Sequence, residues 1–125
     1  MKVRSMLVAA AMTAAAAVIP AMAQHDHHAA KRLTVQGEIL DMACFVAHES
    51  KGPKHASCAA MCLKAGQPVG LLAKDGTVYL LFGDHDDTSA FVKAKELAAK
   101  NVEIEGEAAN RDGIKGIIVK SVKPL

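Results

Sequence analysis

Aromatic residues are scarce in this chain. It has no tryptophan, one tyrosine and three phenylalanines, too few stacking surfaces for a single-stranded nucleic-acid platform. An excess of one charge is missing as well. Once Lys2 and Arg4 are set apart, 13 basic residues balance 13 acidic ones, so no basic field points to nucleic acid or an anionic lipid surface. Cys-x-x-Cys is absent, which argues against a thioredoxin-type redox pair. Cys-x-x-Cys-His is absent too, which argues against covalent c-type haem. No Ser-His-Asp, paired-carboxylate or phosphate-loop pattern occurs, leaving Cys58 with His55 as the one nucleophile–base pair in view.

Hydrophobic residues make up 51% of the 125 residues, but 18 of them crowd into the first 23. Lys2 and Arg4 form a positive start, residues 6–19 an alanine-rich apolar run, and Pro20 ends it. Ala21-Met22-Ala23 then places small residues where a signal peptidase requires them. Residues 1–23 are therefore expected to be a signal peptide, with Gln24 first in the mature chain. The run falls short of the ~20 apolar residues of a membrane span, and no cysteine follows it to carry a lipid. These features predict a soluble periplasmic or secreted protein, with no membrane attachment after cleavage. In such a compartment cysteines pair or bind metal.

Residues 24–32 are polar and histidine-containing, and read as a flexible lead; residues 33–125 read as one domain. Alternation from Leu33 predicts a first strand. A loop over 47–54 and a short helix over 55–65 follow, closed by Gly66 and Pro68. Runs 69–73 and 77–82 flank Asp75-Gly76, a strong hairpin signal. A polar loop at 83–89 leads into a helix whose Phe91, Ala94, Leu97 and Ala98 share a face, with its start capped by the loop's acids and Thr88 or Ser89. Alternation returns from Val102 to Ala108, and the final strand runs over 114–122, with Gly116 marking a bulge or a close approach. The expected fold is mainly β with two short helices. It is a five-stranded OB-like barrel with a Cys/His-containing helical insertion between strands 1 and 2. An open α+β sheet is the alternative.

The chemistry lies in that insertion. Cys44, Cys58 and Cys62 are the only cysteines. On a helix, His55, Cys58 and Cys62 are spaced i, i+3 and i+7 and share one stripe. Ala56, Ala59 and Ala60 between them leave the approach open. Cys44 follows the first strand, on a loop long enough to bring a third sulfur. Three thiolates and an imidazole match a structural zinc site, and the same sulfurs suit Cu(I). Position near a helix N-terminus would favour the Cys58 thiolate. His48 is a second choice for the imidazole, and His25, His27 and His28 form a weak tail site. The competing reading is a disulfide from Cys44 to Cys58 or Cys62, leaving a spare thiol in a non-enzymatic binding module. The 84–87 run lacks the glycine and final glutamate of an EF-hand loop, so helix capping explains it.

The combined pattern comprises Gly37-Glu38-Ile39-Leu40-Asp41, Cys44, His55-x-x-Cys58-Ala59-x-x-Cys62, Gly66-x-Pro68 and the Gly76-Thr77-Val78-Tyr79 strand. It resembles uncharacterised small exported bacterial domains of OB-like type. The resemblance spans most of residues 33–122 and implies that Cys44, His55, Cys58 and Cys62 act as a unit. It implies no activity.

Overall fold

The computed structural model describes residues 30–125. The signal-peptide segment and the histidines at 25, 27 and 28 lie outside the described residues. Five strands form a closed barrel: β1 (Lys31–Asp41), β2 (Val69–Ala73), β3 (Val78–Phe82), β4 (Asn101–Arg111) and β5 (Ile114–Pro124). Their order around the barrel is β1-β2-β3-β5-β4, closed by β4 against β1. The pair β3–β5 is parallel and every other pair is antiparallel. This is the strand arrangement of a five-stranded Greek-key barrel.

Strand β1 makes closure possible. Its first part pairs with β4, from Lys31 opposite Ala108 to Glu38 opposite Asn101, and its last part pairs with β2, from Gly37 opposite Ala73 to Asp41 opposite Val69. The strand therefore coils where the two ladders overlap. Gly37 sits at that point, and a Cβ there would lie 2.3 Å from the Leu72 carbonyl oxygen. Glycine is the residue that permits such backbone approach.

The interior is aliphatic. Ile39, Leu71, Val102, Ile104, Ile117 and Val119 have no exposed surface. Alternation along β4 sends Val102, Ile104 and Gly106 inward and leaves Glu103 and Glu105 on the outer side. Three α-helices complete the domain: α1 (Met42–His48) and α2 (Ala56–Lys64) between β1 and β2, and α3 (Ser89–Glu96) between β3 and β4. Helix α3 packs on β5, and α2 packs on β1 and α3. Ala59, Leu63 and Ala94 carry the helices into the core. None of the helices in the described residues is long and apolar enough to cross a membrane.

Several expectations change. Among the described residues there are three α-helices rather than two, because Met42–His48 is helical. The Asp41 carboxylate accepts from the Ala43 N–H at 3.0 Å and starts the turn, and Glu49, left-handed at φ 53°, ends it. The expected loop over 47–54 shrinks accordingly. Strand β1 begins at Lys31, not Leu33, since its polar start is recruited by the ladder to β4. The irregularity in the last hairpin falls at Lys120, which has no opposite number between Glu105–Ser121 and Gly106–Val119. Gly116 instead accommodates the Phe82 ring, whose Cε2 would lie 3.0 Å from an added Cβ. At the start of α3, Thr88 makes no side-chain capping bond; Asp87 accepts from the Ser89 N–H at 2.8 Å.

Candidate metal centre

The cysteines are delivered by two short helices anchored to the barrel. Met42, the first residue of α1, donates its N–H to the Pro68 carbonyl at 3.0 Å. Its thioether lies across Gly70 in β2, where a Cβ would meet the sulfur at 2.3 Å. These contacts anchor α1, whose Cys44 sulfur meets those of Cys58 and Cys62 on α2. Helix α2 is fixed by Leu63 and Ala59, both buried, which turns the Cys58–Cys62 side toward α1. A 3-10 turn, Pro53–His55, leads into α2. The loop before it is tied to the barrel wall by the Glu38 carboxylate, which accepts from the Gly52 N–H.

The sulfurs of Cys44, Cys58 and Cys62 lie within 4.8 Å of one another, and each residue is half-buried. All three are free thiols. Ligand sulfurs around an ion at ~2.3 Å sit roughly 4 Å apart, so the triad is close to a coordinating arrangement. A second group overlaps the first: Asp41, Cys44 and His55 also place their donor atoms within 4.8 Å of each other. His55 thus groups with Asp41 and Cys44, and its donor atom is not part of the sulfur triad. The cause is local. Pro53 opens a 3-10 turn, and His55 occupies the cap of α2 instead of its first full turn. His48, in the last turn of α1, is exposed and belongs to neither group.

Asp41 escaped the sequence reading as a donor. It is 1% exposed. Its Oδ1 caps α1, while its Oδ2 faces His55 Nε2 at 4.0 Å. Both of those atoms are buried and lack a hydrogen-bond partner. The available signal was a single acid in an apolar run, three residues ahead of a cysteine.

Asp41 governs the electrostatics. Its interaction with the Cys44 thiol, reinforced by burial and by the Cys58 sulfur nearby, pushes Cys44 up to about 12. The Cys62 thiol is raised for the same first reason. Burial works to raise Asp41 itself, yet the facing Cys44 and Cys62 thiols and the Ala43 N–H outweigh it and hold the carboxyl below its usual range. Cys44 and Cys62 therefore stay protonated while no cation is bound. That is the reverse of an activated nucleophile, which requires a lowered thiol pKa. A cation inverts the logic, because it stabilises thiolate and carboxylate together.

No protein-family model matches the chain, and no curated protein or solved structure does either. The reading of the site rests on its own geometry.

Proposed function

We propose that the chain is an exported domain, periplasmic or secreted, that binds a thiophilic metal ion, Cu(I) or zinc, through Cys44, Cys58 and Cys62. The observation that carries this reading is the convergence of three free thiols from two separate helices on one point. Three sulfurs and no fourth donor within the same group suit Cu(I), the softest of the common ions; zinc would draw on Asp41 or His55 to complete four-coordination. Export is supported by the charged start, apolar run and small-residue cleavage pattern of residues 1–23. An oxidising compartment places a premium on occupying three closely spaced thiols.

The test uses export-matured protein purified without reductant. Its metal content is measured and its thiols are alkylated before and after reduction. Three thiols protected only while metal is bound support the reading. One thiol reactive at once and two more only after reduction, with no metal retained, would replace it with a disulfide-stapled binding module carrying a spare thiol. Ligand choice is checked in the same assay. Cys58→Ser is expected to lose metal, whereas His48→Ala is expected to retain it.

A further inference from the structure

Among the described residues, two buried side-chain polar atoms lack hydrogen-bond partners, and they face each other. Asp41 Oδ2 and His55 Nε2 are 4.0 Å apart, too far for a hydrogen bond. No other side chain, on β1, α1 or α2, supplies either of them with one. A buried carboxylate oxygen without a donor is costly, and native structures seldom keep one without a reason. Asp41 is also held rigidly. Its backbone pairs with Val69 in the β1–β2 ladder, and its Oδ1 is already used by the Ala43 N–H. Only Oδ2 is free to act, and it points at the imidazole. The sulfur of Cys44 completes a compact group of one oxygen, one nitrogen and one sulfur.

We propose that Asp41, Cys44 and His55 form a second coordinating face, for a divalent ion of the zinc class, beside the sulfur triad and sharing Cys44 with it. This extends the reading of the same cluster as a metal centre. An oxygen–nitrogen–sulfur set is harder than three sulfurs, so it favours Zn(II)-like ions where the triad favours Cu(I). Donors at ~2.0–2.3 Å from one ion lie roughly 3–4 Å apart, and the 4.0 Å between Asp41 Oδ2 and His55 Nε2 is close to that span. An ion there satisfies both orphaned atoms at once. Cys44 then serves as a bridge between the two faces.

Co(II), a visible-absorbing stand-in for zinc, separates the two faces. In the Cys58→Ser/Cys62→Ser variant the triad is gone but the second face is intact. This variant is expected to take up one equivalent of Co(II), with the sulfur-to-cobalt absorption of a single thiolate. Adding His55→Gln or Asp41→Asn is expected to weaken uptake at least tenfold, the scale on which metal sites respond to such losses; Asn keeps the cap on Ala43. A folded double variant that takes up no Co(II) overturns the second face. So does uptake that His55→Gln leaves unaltered. Should the double variant fail to fold, wild-type protein loaded with one equivalent of Cu(I) is titrated with Co(II) instead. A second equivalent, lost with His55→Gln, is then expected, and its absence overturns the proposal. Wild-type protein that binds Cu(I) while the second face fails leaves the sulfur site standing. Wild-type protein that binds neither ion removes both readings.

Discussion

The Glu38 carboxylate accepts a hydrogen bond from the backbone N–H of Gly52, fourteen residues further along the chain. Glu38 lies where β1 meets both of its neighbours, opposite Leu72 on one side and Asn101 on the other. The bond therefore ties the loop before His55 to the most constrained part of the barrel. Glu38→Ala should lower stability by ~1.5–3 kcal/mol, the range for losing a hydrogen bond to a charged group. It should also weaken metal retention, because the segment carrying His55 loses its tether. Glu38→Gln keeps an acceptor oxygen and should recover most of both. Denaturant unfolding and metal titration of the two variants check this.

Asp41 restrains the thiols, so removing its charge should release them. Asp41→Asn leaves an oxygen to cap Ala43 but takes away the main cause of the raised Cys44 and Cys62 pKa values. Each unit by which a thiol falls raises its thiolate fraction about tenfold at a fixed pH below the pKa. The variant should therefore alkylate at Cys44 about tenfold faster or more near neutral pH in metal-free, reduced protein. Rates equal to wild type would show that burial, not Asp41, holds the protons. Metal binding must displace the same protons, so wild-type affinity should rise with pH across the neutral range.

The barrel was legible in the sequence because its signals are local. Alternation marked β1 and β4, the Asn110–Gly113 turn signal set off β5, Asp75-Gly76 marked the β2–β3 hairpin, and the apolar face of Phe91, Ala94, Leu97 and Ala98 marked the helix before β4. The gathering of Cys44 with Cys58 and Cys62 also followed from the length of the insertion. Helix α1 was not legible. It buries no residue fully, so it has no apolar period to read, and it forms because Asp41 caps it and Met42 docks on β2. Asp41 was legible neither as a cap nor as a donor; it caps α1, and its burial and its second role depend on α2 folding over it. His55 was misaligned for a similar reason. A helical stripe assumes that the α-helix has already begun at His55, whereas the 3-10 turn opened by Pro53 leaves His55 at the cap and starts α2 one residue later, at Ala56.

Leu63 connects the core to the site. It has no exposed surface and sits next to Cys62 in α2. Leu63→Ala leaves a cavity between α2 and the barrel and should cost ~2–5 kcal/mol. The effect on the site should be larger than for a core residue remote from α2. Val119→Ala, a truncation of another fully buried aliphatic residue on β5, should lower stability while leaving metal affinity near wild type in protein that remains folded. Equal losses of metal affinity in both variants would mean that the sulfurs are held by global stability rather than by the seating of α2.

The bulge at Lys120 has its own pH signature. Lys120 donates to the Asp84 carboxylate and lies 3.6 Å from Glu107. The Lys120 hydrogen bond, followed by the Asp86 N–H, holds Asp84 below its ordinary 3.8. A carboxyl that is more acidic when folded contributes stability that is present above its unfolded value and disappears as pH falls through its depressed native one. Lys120 is raised above its ordinary 10.5, chiefly by Asp84, so its share is complete below that value and disappears only as pH rises through the raised one. Asp84→Asn removes the charge but little volume. Wild type should be the more stable of the two near neutral pH, and the gap should close as pH falls through Asp84's lowered native value. Thermal unfolding of both proteins across that interval decides it. A gap that persists in acid would show that Asp84's contribution does not come from its charge beside Lys120.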